Sequence, residues 1–117
     1  QLEDVAPGSF DESERHASLG LAYAGLGEAA SGIAEGQKAM ALYPTSKYPW
    51  NGPAVEVRMA EIYAGLGDAD HAIPILKRLL QLPIGFGVTP ALLRLDPGWD
   101  RIRNDPRFQE LAAEKKP

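Results

Sequence analysis

Apolar residues recur along much of the chain at the three- and four-residue spacing of helices. The first such stripe predicts the buried face of one helix, and its members are Leu19, Ala22, Tyr23 and Leu26. A second stripe predicts the core face of a later helix, and its members are Val55, Met59, Ile62, Tyr63 and Leu66. Each stripe is followed by a further apolar run with helical spacing. The recurring unit is therefore a helix, a tight turn and a second helix.

The tight turn is written twice with the same five residues, YAGLG, at residues 23–27 and again 40 residues later at 63–67. Gly27 and Gly67 stand where each helix must end, because glycine adopts the left-handed backbone conformation without a Cβ clash. Glu28 and Asp68 follow, and we expect them to cap the next helices. An internal period of this length indicates stacked helical repeats.

The helix after the first motif, at about residues 28–42, contains two glycines four residues apart. Gly32 and Gly36 each cost about 1 kcal/mol relative to alanine inside a helix, so we expect another helix to approach closely there. A membrane dimer motif has the same spacing. The charged residues of this segment argue against it; they are Glu28, Glu35 and Lys38.

Prolines and glycines mark the remaining boundaries. Residues 47–52 form a turn-rich insert, and Pro53 is expected at the first position of the next helix. The helix at about residues 69–82 is strongly apolar but contains Pro74, which predicts a kink or a late start. Residues 83–89 are expected to form a loop.

The last part of the chain predicts three short helices. Thr89 is expected to cap the first, which runs to about Leu95. Two similar segments follow, and each has Asp-Pro, an aromatic residue and an aliphatic residue three positions on; they are Asp96–Ile102 and Asp105–Leu111. We expect this tail to cover the apolar face of residues 73–82, through Leu92, Leu93, Leu95, Trp99 and Phe108.

These positions resemble the tetratricopeptide repeat (TPR) family. Residues 13–46 match the pattern of one repeat at Leu19, Gly20, Tyr23, Gly27, Ala39 and Pro44, and residues 53–86 match it at Ala60, Tyr63, Gly67, Ala72 and Ile73. The tail, LRLDPGWDRIRNDPRFQEL, resembles the closing segment of TPR regions in bacterial serine/threonine kinases, adenylate cyclases and transcription factors. It departs from that segment at Arg101, where proline is common.

The resemblance implies an all-α fold, a right-handed α-solenoid of two TPR-like helical hairpins at about 13–46 and 53–86 with a helical cap at about 90–114. We expect one domain over residues 1–117, with a lead-in at 1–12, the insert at 47–52 and capping helices within 87–117. The implied function is a protein-binding scaffold without catalysis or cofactor.

Composition narrows the possible partners and settings. The net charge of −4 argues against nucleic acid and anionic membranes as partners. Cysteine is absent, so thiolate metal sites, disulfides and cysteine nucleophiles are excluded. No apolar run approaches the roughly 18 residues of a membrane span. Because the chain begins with Gln1, we expect a fragment of a larger regulatory protein, in the cytoplasm or, alternatively, as an extracytoplasmic domain of a membrane-anchored regulator.

Superposing the two repeats predicts a peptide-binding groove from residues that do not serve the core. They are Glu14, Ala17, Ser18 and Leu21 in the first repeat, and Ala54, Val57, Arg58 and Glu61 in the second. A protein or peptide partner is expected there, bound to a monomer or weak homodimer. The alternative function is a structural or self-association segment that spaces or dimerises neighbouring domains.

Other candidate sites have simpler interpretations. Tyr48 and Trp50 in the insert either pack on the repeat junction, which we favour, or contact a partner. His16 and His71 lie on different helices, so a surface or packing role is favoured over metal binding. The arginines of the tail alternate with aspartates and predict local ion pairs in preference to a phosphate site. No residues assemble a nucleophile with a base, so no enzyme activity is expected.

Overall fold

The computed structural model describes residues 10–82 and 88–113 of the 117-residue chain. Throughout these residues the regular structure is helical and contains no strand, which confirms the all-α class. Within the described ranges there are six α-helices and one 3₁₀ helix: α1 Phe10–Gly25, α2 Ala29–Leu42, α3 Asn51–Gly65, α4 Ala69–Leu80, α5 Pro90–Leu95, the 3₁₀ helix Pro97–Ile102 and α6 Pro106–Ala113. Of the predicted lead-in and loop, residues 1–9 and 83–87 lie outside the described part.

Both YAGLG motifs end a helix as predicted. Gly27 has φ 79° and Gly67 has φ 75°, and these are the positive-φ residues of the described chain. The backbone N–H of the following residue returns to the carbonyl oxygen of Tyr23 in the first turn (2.9 Å) and of Tyr63 in the second (2.8 Å). The two turns therefore close with the same C-terminal hydrogen bond.

The two expected N-caps behave differently. The Asp68 carboxylate accepts a hydrogen bond from the backbone N–H of His71 at 3.1 Å, whereas the Glu28 side chain makes no capping bond to α2. Glutamate has one more methylene than aspartate, and the short side chains of aspartate, asparagine and serine are the ones that reach the first free N–H groups. The capping role predicted for Glu28 is wrong.

The helix boundaries also differ in detail from those predicted. Helix α3 begins at Asn51, two residues before Pro53, because the first turn of a helix tolerates a residue without an N–H. Pro74 lies inside α4, which starts at Ala69 without delay and ends at Leu80, two residues before the predicted end.

The glycines of α2 are contact points between helices, as expected. The carbonyl oxygen of Gly20 in α1 lies 3.1 Å from the position that a Cβ of Gly32 would occupy. A Cβ at Gly36 would meet the sulfur of Met59 in α3. Helix α3 packs on both α1 and α2, and its Met59 and Ile62 form a buried cluster with Ala24. Glycine thus allows three helices to come together.

The buried face of α1 is not the one predicted. Leu26 is 73% exposed, Leu19 and Ala22 are also exposed, and Tyr23 is half-buried. The residues of α1 that turn inward are small and lie along a different stripe: Ser13, Ala17, Gly20 and Ala24. Small residues let α2 and α3 approach the helix axis, and the hydroxyl of Ser13 donates to the carbonyl oxygen of Ala39 at 3.0 Å. Close packing of small residues therefore decides the orientation of α1.

The tail packs on α3 and α4. Its Leu93, Trp99 and Phe108 are buried in one cluster with residues of both helices, including Leu76. Leu92 and Leu95 are exposed, which corrects the prediction that they take part. Helix α5 has only six residues and buries one face, so neighbouring leucines on its other sides stay outside. Trp99 and Phe108 lie 6.4 Å apart between ring centroids.

The caps of the tail form as predicted. The hydroxyl of Thr89 accepts from the backbone N–H of Leu92 at 3.1 Å. Asp96 accepts from the N–H of Gly98 at 2.8 Å, and Asp105 accepts from the N–H of Arg107 at 2.8 Å. These caps turn the chain twice and bring its aromatic residues to α3 and α4.

No helix in the described ranges is both long enough and apolar enough to cross a lipid bilayer.

Candidate functional site

The candidate site is the surface between α1 and α3, where Arg58 connects the two helices. Its Nη2 lies 3.5 Å from Oε1 of Glu14 on α1, and its Nη1 donates to Oε1 of Glu61 at 3.2 Å. The Arg58 side chain is 43% exposed, so the guanidinium remains accessible to solvent. Two stripes of neighbouring helices therefore meet at one charged side chain.

Six of the eight residues proposed for the groove keep accessible side chains: Glu14, Ser18, Leu21, Ala54, Arg58 and Glu61. The other two are core residues. Ala17 is 1% exposed and packs with Ala39 and Val55, because α1, α2 and α3 converge there. Val57 is 9% exposed and belongs to the cluster formed with α4 and the tail. We call the six accessible residues, together with Asp96, the α1–α3 groove.

Asp96 belongs to this surface although it comes from the tail. The 3₁₀ helix packs on α3, and the Asp96 carboxylate is close enough to influence the titration of Glu61. Sequence reasoning missed this residue, since it appeared only as the cap of a short helix. Nothing in the local pattern indicates that the tail returns to α3 at this point.

The carboxyl group of Glu61 sits in an unfavourable environment for its charge. Partial burial raises its pKa, and the carboxylates of Asp96 and Glu14 raise it further, while Arg58 acts in the opposite direction. The groove thus holds three carboxylates and one guanidinium, which Glu14 and Glu61 contact, and it has a net negative charge. Such a surface favours a ligand with a positive charge.

The aromatic side chains of the insert are on the surface. Trp50 is 63% exposed and Tyr48 is also exposed, which corrects the packing that we favoured for them. The Tyr48 ring makes an edge contact with Tyr43 at 4.7 Å between centroids. Residues 47–51 line an open cavity of about 260 Å³. Because the lining residues are consecutive in the sequence, a single short segment forms the cavity, and it is not a cleft between helices.

The histidines take part in pairs and in packing, as predicted. His16 Nδ1 lies 2.6 Å from Oε1 of Glu35, and this hydrogen bond is the main reason that the pKa of Glu35 is lowered. His71 lies 2.7 Å from Oδ2 of Asp68 and stacks on Tyr63 at 4.9 Å between ring centroids. His16 therefore links α1 to Glu35 of α2, and His71 of α4 pairs with Asp68, which caps the same helix.

Two of the four arginines of the tail, Arg103 and Arg107, form the local ion pairs that the sequence indicated, whereas Arg94 donates to the carbonyl oxygen of Ala112. Arg103 donates to Asp100 at 3.0 Å, and Arg107 donates to Asp105 at 2.9 Å and to Asp70 at 2.8 Å. The hydrogen bonds from Arg107 hold the pKa of Asp105 at about 2. These guanidinium groups are therefore already matched by carboxylates.

Within the described ranges, no three side chains of His, Asp or Glu come together as metal ligands. Comparison of the chain with protein-family models, curated proteins and solved structures finds no match. The TPR resemblance therefore stays a prediction. Among the candidate sites, the α1–α3 groove is the one at which charged side chains of two neighbouring helices meet.

Proposed function

We propose that the protein is a non-catalytic interaction module that binds an extended peptide segment of a partner protein in the α1–α3 groove. The observation that carries the proposal is the Arg58 side chain, which reaches Glu14 on one helix and Glu61 on the other while remaining accessible. Neighbouring helices of stacked repeats commonly present such a surface to ligands. A bound peptide would meet one guanidinium group and several carboxylates at defined positions in the groove.

The charge of the groove favours a peptide with a lysine or arginine side chain. A cationic group beside Glu61 and Asp96 would relieve the repulsion that raises the Glu61 pKa. Arg58 is paired with Glu14 and Glu61, so it holds these two carboxylates in position for the cationic group of the peptide. The exposed Ser18 adds a hydrogen-bonding group along α1, and the half-buried Leu21 adds an apolar contact.

The wider architecture that fits this function is a right-handed α-solenoid of two TPR-like hairpins with the tail as a cap. The repeated turns at Gly27 and Gly67 and the packing of α3 on α1 and α2 support it. By the resemblance of its tail, the chain would serve a bacterial regulatory protein in the cytoplasm, or alternatively an extracytoplasmic domain of a membrane-anchored regulator.

The proposal is tested by selecting peptides from a random displayed library on the intact chain and measuring their affinity by fluorescence anisotropy. We expect the selected peptides to be enriched in basic residues. Arg58→Ala and Glu61→Ala should each weaken binding by about tenfold without lowering the melting temperature, since hot-spot residues of an interface often cost more than about 1 kcal/mol when truncated.

Arg101→Ala is the matched control, because Arg101 is an exposed arginine that is not a member of the groove. Equal loss of affinity in Arg101→Ala and Arg58→Ala would show that binding is non-specific. A melting temperature that falls together with affinity in the groove variants would show that Arg58 and Glu61 are structural.

A further inference from the structure

Helix α1 carries an apolar face that the described residues leave exposed. Leu26, in the turn directly after α1, is 73% exposed, and Leu19 of α1 is 37% exposed. Ala22 is also exposed and stands three residues after Leu19 and four before Leu26. Leucines in such a row are less common on a protein surface than isolated ones, and they mark a contact site. We call Leu19, Ala22 and Leu26 the α1 face.

The second repeat shows what this row of positions does when a neighbour is present. Forty residues on, the equivalent positions are Met59, Ile62 and Leu66. Met59 and Ile62 are buried, and Leu66 packs on their cluster, which includes Ala24 of the preceding helix pair. In α3, this row of residues therefore packs on the preceding helix pair. The corresponding residues of the first repeat have the same spacing and occupy the same positions within the repeat.

The opposite end of the molecule limits what can bind. There the tail packs on α3 and α4, and its Trp99 and Phe108 are buried in one cluster with residues of both helices. On that side the molecule therefore offers a second copy no exposed helix pair like the one that α3 packs on. Head-to-tail stacking is blocked, and the α1 face of one copy is left to meet the same face of another, which gives a closed twofold pair.

The charge pattern agrees with such a pairing. Residues 17–27 contain no Asp, Glu, Lys or Arg, in a chain with a net charge of −4. Two copies can bring this surface together without placing like charges in contact. Ala22 and Gly25 add little bulk, and a Cβ at Gly25 would have no neighbour within 4 Å, so two helices can approach closely.

We infer that two copies of this chain associate through their α1 faces, with Leu19, Ala22 and Leu26 of each packed around a twofold axis. The contact is small, so the dimer forms reversibly and at high protein concentration. It uses other residues than the α1–α3 groove, whose members on α1 are Glu14, Ser18 and Leu21.

The first experiment measures mass by sedimentation across protein concentrations from low micromolar to millimolar. The mass of the natural chain should rise from one copy towards two and stop there. Leu26→Glu should raise the dissociation constant by at least about tenfold, because the symmetry introduces two carboxylates into one contact. Leu95→Glu is the matched control, since Leu95 is an equally exposed leucine, at 76%, on α5.

A second experiment uses the absence of cysteine in the chain. Ala22→Cys introduces one thiol near the proposed axis, and mild oxidation should give a disulfide-linked dimer faster than Leu95→Cys does. The melting temperature of each variant shows that it is folded. Peptide affinity of Leu26→Glu should equal that of the natural chain, which separates this contact from the groove.

A chain that stays monomeric at every concentration overturns the inference. So does a mass that grows beyond two copies, because the pairing would then be open-ended. Equal weakening by Leu26→Glu and Leu95→Glu would also overturn it, since general surface charge would then explain the effect.

Discussion

The guanidinium carbon of Arg103 lies 5.7 Å from the ring centroid of Phe108. The same guanidinium donates to the carbonyl oxygens of Leu93 at 2.9 Å and Asp96 at 2.6 Å. Arg103 therefore connects the C-terminal end of α5 to α6, which are separate segments of the tail. Carbonyl groups at a helix end lack partners within the helix, and a cation there satisfies them.

We predict that Arg103→Ala lowers the free energy of unfolding by about 2–3 kcal/mol, because hydrogen bonds to a charged donor contribute about 1.5–3 kcal/mol and several are lost at once. Arg103→Lys should recover only part of this, since an ammonium group cannot reproduce the planar set of donors. Urea denaturation measures both. Arg101→Ala is the control, and a loss as large in Arg101→Ala would contradict the role given to Arg103.

The two tryptophans provide a test of the tail as a cap. Trp99 is buried in the cluster with α3 and α4, whereas Trp50 is mostly exposed. Trp99→Ala should cost about 3–5 kcal/mol, the usual range for truncating a buried aromatic side chain, and Trp50→Ala should change stability by less than about 0.5 kcal/mol.

Thermal melting and size-exclusion chromatography measure these changes. We expect Trp99→Ala, and a chain that stops after Leu82, to melt without a sharp transition or to aggregate. A shortened chain that melts as sharply as the whole protein would show that the tail is not a cap.

A third prediction concerns the contact between α1 and α2. A Cβ at Gly20 would lie 2.6 Å from Cδ1 of Ile62 and 3.0 Å from the carbonyl oxygen of Gly32. Ile62 is fully buried, so a shift of its Cδ1 disturbs packed neighbours, and the Gly32 oxygen belongs to the backbone. Gly20→Ala should therefore cost about 1–3 kcal/mol from overpacking, despite the better helix propensity of alanine.

Gly25→Ala is the matched control in the same helix, because a Cβ there meets no atom within 4 Å. It should leave stability unchanged or raise it by up to about 1 kcal/mol. Chemical denaturation compares the two variants. If Gly20→Ala is as stable as Gly25→Ala, the helices are not held at the observed separation by glycine.

Local features of this fold could be predicted from sequence because they depend on adjacent residues. The turns at Gly27 and Gly67, and the caps at Thr89, Asp96 and Asp105, each follow from a residue type and its immediate neighbours. The burial of Trp99 also followed, since a large aromatic residue beside a helix start commonly packs inward.

The orientation of α1 could not be predicted in the same way. Two of its faces have helical spacing, one with Leu19 and Leu26 and one with Ala17 and Ala24. Hydrophobicity favours burial of the face with the leucines. The second face is the buried one, because alanine and glycine allow the neighbouring helices to approach more closely. The influence of Asp96 on the pKa of Glu61 depends on the return of the tail to α3, and no local pattern indicates this return.

The last prediction uses the Glu61 carboxyl group, whose pKa in the folded protein is raised mainly by burial and further by Asp96 and Glu14. A raised pKa means that the folded state binds the proton more tightly than the unfolded state does. Its contribution to stability is complete below the unfolded pKa of about 4.5 and is lost as the pH rises through the folded value. At neutral pH the ionised group therefore destabilises the fold.

Glu61→Gln keeps the shape of the side chain and an oxygen that accepts from Arg58, but it does not ionise. We expect it to raise the melting temperature at pH 7 and not at pH 4, and to flatten the dependence of stability on pH between these values. If Glu61 binds a cationic peptide group, the same variant should weaken peptide binding by about tenfold at pH 7. Glu110→Gln, on the exposed side of α6, is the control and should change neither property. A Glu61→Gln variant that loses stability at pH 7 would mean that the ion pair with Arg58 outweighs burial, and that the carboxylate serves the fold and not a partner.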